Sequence, residues 1–391
     1  MEVRMRAVAR IGGAAMFAAA ALVAGNGLAE AALVKSTADP TWQTDGRVRA
    51  IVISGGRIYI GGDFTHVRAA GAPAPGGAVR NHLAAIDAAT GALLPWNPNA
   101  NGQVRALRVK PGGKTIYAGG KFTRIGGKPR SGIAAIATHG STLRAWHPRV
   151  NDAVNAILAT PKRVYLGGAF TIANGASRNR LAAISAAPSA KLLAWRPGVH
   201  GGDVRALALS ASGGRLFVGG LFTTVNGKAH LHLAAIDTAT GKTRKYGAQP
   251  AWPVTSLVST PLSLFAGGSG NGGQVASYNA KNGARHWLAI TDGDVQALAL
   301  RQGVLYVGGH FTNYCQGGAG TGNPLVCTTP VSRRHLLALN AATANLTAWN
   351  ADANSIHGVF ALRASKSQVA AGGDFTVVHG ANQQGIAKFT A

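Results

Sequence analysis

The sequence predicts an all-β chain folded as a ring of seven four-stranded sheets, and three observations predict it. A Gly-Gly-x-Phe-Thr segment recurs at Gly61 to Thr65, Gly119 to Thr123, Gly167 to Thr171, Gly219 to Thr223, Gly308 to Thr312 and Gly372 to Thr376, with a degraded copy at Gly267 to Gly270. Aligned on Val-x-[Ala/Ser]-[Ile/Leu], seven units start at Val48, Val104, Val154, Val204, Val254, Val295 and Val359, and the first glycine of each pair follows 13 or 15 residues later. The 54 glycines among 391 residues favour tight turns over long helices. A fixed repeat of this length marks a stacked-unit architecture.

The first unit shows the elements in order. Val48 to Ile53 is an apolar run, and after the Ser54-Gly55-Gly56 turn Arg57 to Ile60 is a second run rich in β-branched and aromatic residues. A longer polar loop leads to Leu83 to Asp87, an Ala-Thr-Gly turn, and Ala92 to Trp96. Four strands in about 50 residues make one propeller blade. The third strand recurs at Ile133 to Ala137, Leu181 to Ser185, Leu233 to Asp237, Val275 to Asn279, Leu336 to Asn340 and Ile386 to Thr390. An aromatic marks the fourth at Trp96, Trp146, Trp195, Tyr246, Trp287 and Trp349. The seventh unit stops at Ala391, directly after its third strand. Pro40 to Gly46, with Trp42, matches the pattern around Trp349 and is expected to supply the missing strand. The expectation is a seven-bladed β-propeller over residues 40–391, preceded by a short lead-in at 32–39, with its edges removed by closure.

Residues 1–31 read as a secretory signal peptide. Arg4, Arg6 and Arg10 form a basic start, Ile11 to Ala24 an apolar stretch, and Ala29-Glu30-Ala31 a small-residue cleavage site. A membrane anchor would need about 20 apolar residues, and no cysteine near the site points to a lipid. The expected location is secreted or cell-surface, with no transmembrane segment in the mature chain and a monomeric state. The formal charge is +26; without the leader, 36 basic residues face 11 acidic ones, all aspartate. Such an excess draws polyanions. Cys315 and Cys327, twelve residues apart in an insert, read as one disulfide closing a surface loop, worth about 3 kcal/mol.

Gly-Gly-x-Phe-Thr followed by Arg-Asn-x-Leu-Ala, as in Arg80 to Ala84 and Arg178 to Ala182, resembles the delta-60 repeat β-propellers of secreted and surface proteins. The resemblance covers nearly the whole mature chain and implies architecture, since that family is mostly uncharacterised. Ala84 to Trp96, AAIDAATGALLPW, is also similar to the Trp-docking repeat of quinoprotein dehydrogenases, in which it pins the outer strands of neighbouring blades. Seven units and no adjacent cysteine pair separate this chain from those cofactor enzymes, so no cofactor is expected.

Antiparallel order puts the loop between strands two and three and the loop entering strand one on the same face, which is the expected binding face. Arg80, Arg130, Arg178 and Arg333 occupy one repeated place there, and His82, His232 and His335 another; together they are the candidate anion ligands. The other reading of the arginines is as staples between adjacent blades through backbone carbonyls. Asp45, Asn101, Asn151, Asp152, Asp203, Asp294 and Asn354 cluster where strand one begins and read as turn formers. Asp63 and Asp374 stand out because four intact copies place Lys121, Ala169, Leu221 or His310 there, so the turn does not demand an acid. His230 and His232 lack a third ligand, so no metal is expected.

Three functions compete. The first is an exported, non-catalytic scaffold binding an anionic envelope polymer or extracellular protein. The second is a propeller enzyme of lyase or glycosidase type using Asp63, Asp374, His82 and His310. The third is a purely structural assembly module. Nucleic acid is disfavoured because the tryptophans are accounted for by blade packing.

Overall fold

The computed structural model describes residues 33–391 except 73–75, 271 and 316–328. The signal-peptide segment and Cys327 therefore lie outside the described residues, while Cys315 is buried on the strand Asn313–Cys315. The described residues form strands and turns without a helix, so none has a helix long and apolar enough to cross a membrane.

Each unit contributes an antiparallel sheet whose order follows the chain. In the first, Val48–Ser54 pairs with Arg57–Gly62, which pairs with Leu83–Asp87. The same order recurs at the six other units. Among the described residues a long fourth strand, Arg285–Thr291, forms only in the unit that starts at Val254. Elsewhere the fourth segment touches the third through single pairs such as Ile86 with Leu93 and Leu339 with Leu346. The polar loop after strand two is itself structured. It folds into small hairpins such as Ile172–Ala173 with Ala176–Ser177, turned at Asn174 (φ 47°) and Gly175 (φ 79°). Positive φ at both central residues gives the type I′ turn that matches strand twist, which is why Asn-Gly recurs there.

Inner strands pack each on the next around the chain, and Val359–Ala364 packs on Val48–Ser54. The core accordingly lies between units: seven clusters of buried side chains each join two consecutive sheets. The repeated glycines follow from this stacking. A Cβ on Gly119 would stand 2.7 Å from Val154 Cγ1, one on Gly61 2.6 Å from Val104 Cγ1, and one on Gly372 2.6 Å from Val48 Cγ1. The second glycine answers a different need. Val48 faces Gly62 while Ala50 faces Gly61, so Arg49 is an extra, bulged residue. The bulge drives the carbonyl oxygen of Arg47 to 1.9 Å from where a Gly62 Cβ would be. Neither glycine of the pair has positive φ; close approach alone excludes a side chain.

The outer aromatics tie each sheet to its successor. The indole N–H groups of Trp96, Trp146 and Trp195 donate to the carbonyls of Ala137, Ser185 and Asp237 in the next unit, at 2.8, 2.7 and 2.9 Å. Edge-on rings of Tyr59, Tyr117 and Tyr165 back them. At the seam between the last and first units the device changes. Asp39 pairs with Lys388, Lys35 N–H donates to Thr390, and Trp349 donates to Lys35 at 2.9 Å, so the N-terminal segment does join the last sheet. Trp42 is only half-buried there, and Thr41 is the buried residue, its hydroxyl donating to Gly91. Where other units place a tyrosine or a phenylalanine on strand two, the last has Ala370, and its partner there is Lys388. Lys388 is 2% exposed and its Nζ donates to the carbonyls of Ala88 and Ala89.

Substituting the two glycines separates the two causes. Gly119→Ala meets side-chain atoms of Val154 and Ile157 and is expected to cost about 1–3 kcal/mol through overpacking, whereas Gly120→Ala meets the backbone oxygen of Gln103 at 2.0 Å and costs more. Urea unfolding midpoints of the two variants check the order; equal losses would remove the bulge from the explanation.

Candidate functional site

The bulged residues line a central channel. One from each unit, Arg49, Arg105, Asn155, Arg205, Thr255, Gln296 and Phe360, borders a cavity of about 210 Å3. In the repeat this is the x of Val-x-[Ala/Ser]-[Ile/Leu], polar in six units although flanked by apolar residues. That pattern was the signal available in the sequence.

Around the mouth these side chains form a hydrogen-bonded belt. Arg49 Nε donates to Asp63 at 2.8 Å and its guanidinium stacks over Phe360 at 4.8 Å. Gln103 Nε2 donates to the other Asp63 oxygen, and Arg105 Nε donates to Gln103. Arg105 Nη1 reaches Asn155 at 3.2 Å, Asn155 donates to Asp203 at 3.0 Å, and Arg205 pairs with Asp203 at 3.5 Å. On the opposite arc Gln296 donates to the His357 carbonyl at 2.9 Å. His357 Nδ1 lies 2.5 Å from Asp374, which also accepts from the Ser355 hydroxyl and lies 3.8 Å from Arg47.

The belt therefore brings together Asp63 and Asp374 with residues that the sequence reading missed: Arg47, Arg49, Arg105, Arg205, Ser355 and His357. Every one of its three carboxylates is held by a cation or donor. Burial alone would raise the Asp374 pKa, but hydrogen bonds from Ser355 and His357 override it and hold it below the ordinary value. Burial lowers Arg105, reinforced by the neighbouring Arg49 charge. Deeper on the same inner strands, burial pushes Arg108 down to about 10, with Arg363 adding repulsion.

The other candidate residues sit further out. Arg80, Arg130, Arg178 and Arg333 each donate through Nη1 to the carbonyl of the preceding residue. Through Nη2 each reaches the fourth segment of its own unit, at Leu94, Arg144, Leu193 or Thr347. They staple strands within one blade, not one blade to another. His82, His232 and His335 take φ of 63°, 60° and 64°, where other units use Gly132, Arg180 or Gly385. The ring nitrogens of His82 and His335 lie 3.1 and 3.2 Å from the carbonyls of Gly62 and Gly309. Burial lowers the pKa of His232 and His335. His310 stacks on His335 at 5.9 Å. No group able to hold a metal occurs among the described residues.

The residue three before the inner valine explains the threonine of Gly-x-Phe-Thr. Asn101 Oδ1 accepts the backbone N–H groups of Thr123 and Arg124 while its Nδ2 donates to the Thr123 hydroxyl. Asp45, Asn151 and Asp292 at the same offset, and Asn354 five residues before Val359, accept the corresponding pair of backbone N–H groups. Asp292 holds the place in its unit rather than Asp294, and Asp203 belongs to the channel belt.

No family model matches the chain, and no curated protein matches it. Solved structures do. The WD40 β-propeller domain of Doa1 superimposes with a TM-score of 0.56, covering 91% of this chain and 97% of that one at 9% identity. The fold is a β-propeller. A second propeller, the β-propeller domain of Cps50 (Swd1) from Myceliophteria thermophila, gives a TM-score of 0.55 over 86% of this chain and 96% of that one at 10% identity. At such identities the likeness concerns the propeller fold alone.

Two substitutions test the site's construction. Asn101→Ala removes an acceptor of two backbone N–H groups and is expected to cost about 1 kcal/mol in denaturant unfolding, by analogy with a helix cap. Asp374 has a lowered folded pKa, so its stabilisation is present above the ordinary carboxylate value of about 3.9 and is lost as pH falls through the lowered one. Asp374→Asn should therefore destabilise at neutral pH, by about 1–3 kcal/mol, and flatten the acid limb of the stability profile. An unchanged acid limb would contradict that role.

Proposed function

We propose that the mature chain is an exported seven-bladed β-propeller that acts as a binding scaffold, engaging an anionic envelope polymer or extracellular partner through the face that carries the loop hairpins and the channel mouth. The observation that carries this reading is the state of the mouth carboxylates. Asp63, Asp203 and Asp374 are each engaged by arginine, histidine or amide donors, so among the described residues these three offer no free carboxylate pair at the mouth for acid and base work. Arginine outnumbers aspartate in the belt, and the chain carries +26 in all. A leader over residues 1–31 and a Cys315–Cys327 bond belong to the same reading.

Sedimentation with dextran sulfate and with polyglutamate tests it. Binding should fall steeply, by about tenfold or more, between about 50 and 200 mM salt. Binding that is absent, or indifferent to salt, would overturn the reading.

A second reading rests on the Asp374–His357 contact, in which a carboxylate orients an imidazole whose side chain is 49% exposed. That is the geometry of a general base in a lyase. Release of unsaturated product from an acidic glycan, abolished in His357→Ala, would favour it over the scaffold.

A further inference from the structure

The bulge places side chains of seven units at one level of the channel, and the level is rich in cation. Arg49 and Arg205 each commit only Nε to a carboxylate, at 2.8 and 3.5 Å, and Arg105 commits Nε and Nη1 to neighbouring amides. The remaining η nitrogens of these three arginines have no protein acceptor among the described residues. Stacking of Arg49 on Phe360 fixes the plane of its guanidinium while leaving the N–H edge available. Three residues further along two of the inner strands, Arg108 and Arg363 add two guanidiniums, and neither has an ion-pair partner among the described residues. Arg108 is half-buried and Arg363 exposed, and burial together with the neighbouring Arg363 charge lowers Arg108.

Size and donor geometry narrow the ligand. A cavity of about 210 Å3 is ample for one hydrated oxyanion. Guanidiniums from the first, second and fourth units approach from different sides of the axis. A planar carboxylate offers two oxygens in one plane and satisfies one fork; a tetrahedral anion offers oxygens in three dimensions and can meet several.

We propose that the channel mouth is a binding site for one tetrahedral oxyanion group, phosphate or sulfate, held on the axis by Arg49, Arg105 and Arg205. This deepens the scaffold reading and rests on it only where the group belongs to a polymer. A free ion and a polymer-borne group share the chemistry, and the experiment separates them.

Calorimetric titration of the mature chain with inorganic phosphate and with sulfate, against chloride at matched ionic strength, reads the site directly. One ion per chain is expected. Arg105→Ala and Asn155→Asp should each weaken it by about tenfold or more, whereas Lys281→Ala, which removes a charge away from the channel, should not. Asn155→Asp keeps size and polarity, so circular dichroism matched to wild type separates lost binding from lost fold. Absence of saturable binding, or binding indifferent to both channel variants, overturns the proposal. If dextran sulfate binds while the small ions do not and Arg105→Ala leaves polymer binding intact, the axial site falls and the scaffold reading stands. If the small ions bind and the polymer does not, the axial site stands and the polymer reading falls.

Discussion

Everything in this molecule depends on a valine seated against a glycine of the preceding unit. Val48, Val104, Val154, Val204, Val254, Val295 and Val359 are all 0% exposed, each with Cγ1 where a Cβ of the preceding unit's glycine would have to go. No unit owns a core; each of the seven clusters is shared between two. A single sheet of this kind has nowhere to bury its faces, so stability is a property of stacking between neighbours. Gly-Gly-x-Phe-Thr is an instrument of that stacking.

The same constraint creates the channel. Seating valine and then alanine against consecutive glycines forces one residue out of register, and the extra residue is displaced toward the axis. Packing fixes the position and leaves its identity free, which is why arginine, asparagine, threonine, glutamine and phenylalanine all occur there. A rigid scaffold with one unconstrained position per unit can change its axial chemistry without altering a core contact. The belt of amides and arginines is one solution: carboxylates present, each one answered, and cation left over.

Much of the architecture was legible because it is periodic. The third-strand positions, the outer aromatics and the N-terminal completion all follow from residues that repeat at fixed offsets. The site was legible only in part. Asp63 and Asp374 could be singled out because they differ from their counterparts, but His357 and Ser355 lie in a stretch that departs from the repeat, so alignment offers nothing to compare. The conspicuous arginines at 80, 130, 178 and 333 contrast with them: recurring at one place in four units, they link strands of one blade. Trp42 illustrates the limit of pattern matching, since Asp39 opposite Lys388 sets a register in which Thr41 is the buried neighbour. The small hairpins were hidden because their strands are two or three residues long, too short for alternation to register.

Lys388 sits at the seam between the last and first units. Six junctions join sheets that are adjacent in the chain, whereas the seam brings together residues 300 to 351 positions apart. Closing a loop of that length rather than one of about 50 residues costs about 1.7 kcal/mol more in chain entropy. Non-local pairing of this sort is the slow part of folding. The seam is thus the junction most costly to close in chain entropy, and it closes on an ammonium group that donates to two carbonyls. A greasy ring at that place would leave an apolar edge waiting in the open fan. A lysine leaves a charged one, of the kind that discourages edge-to-edge pairing.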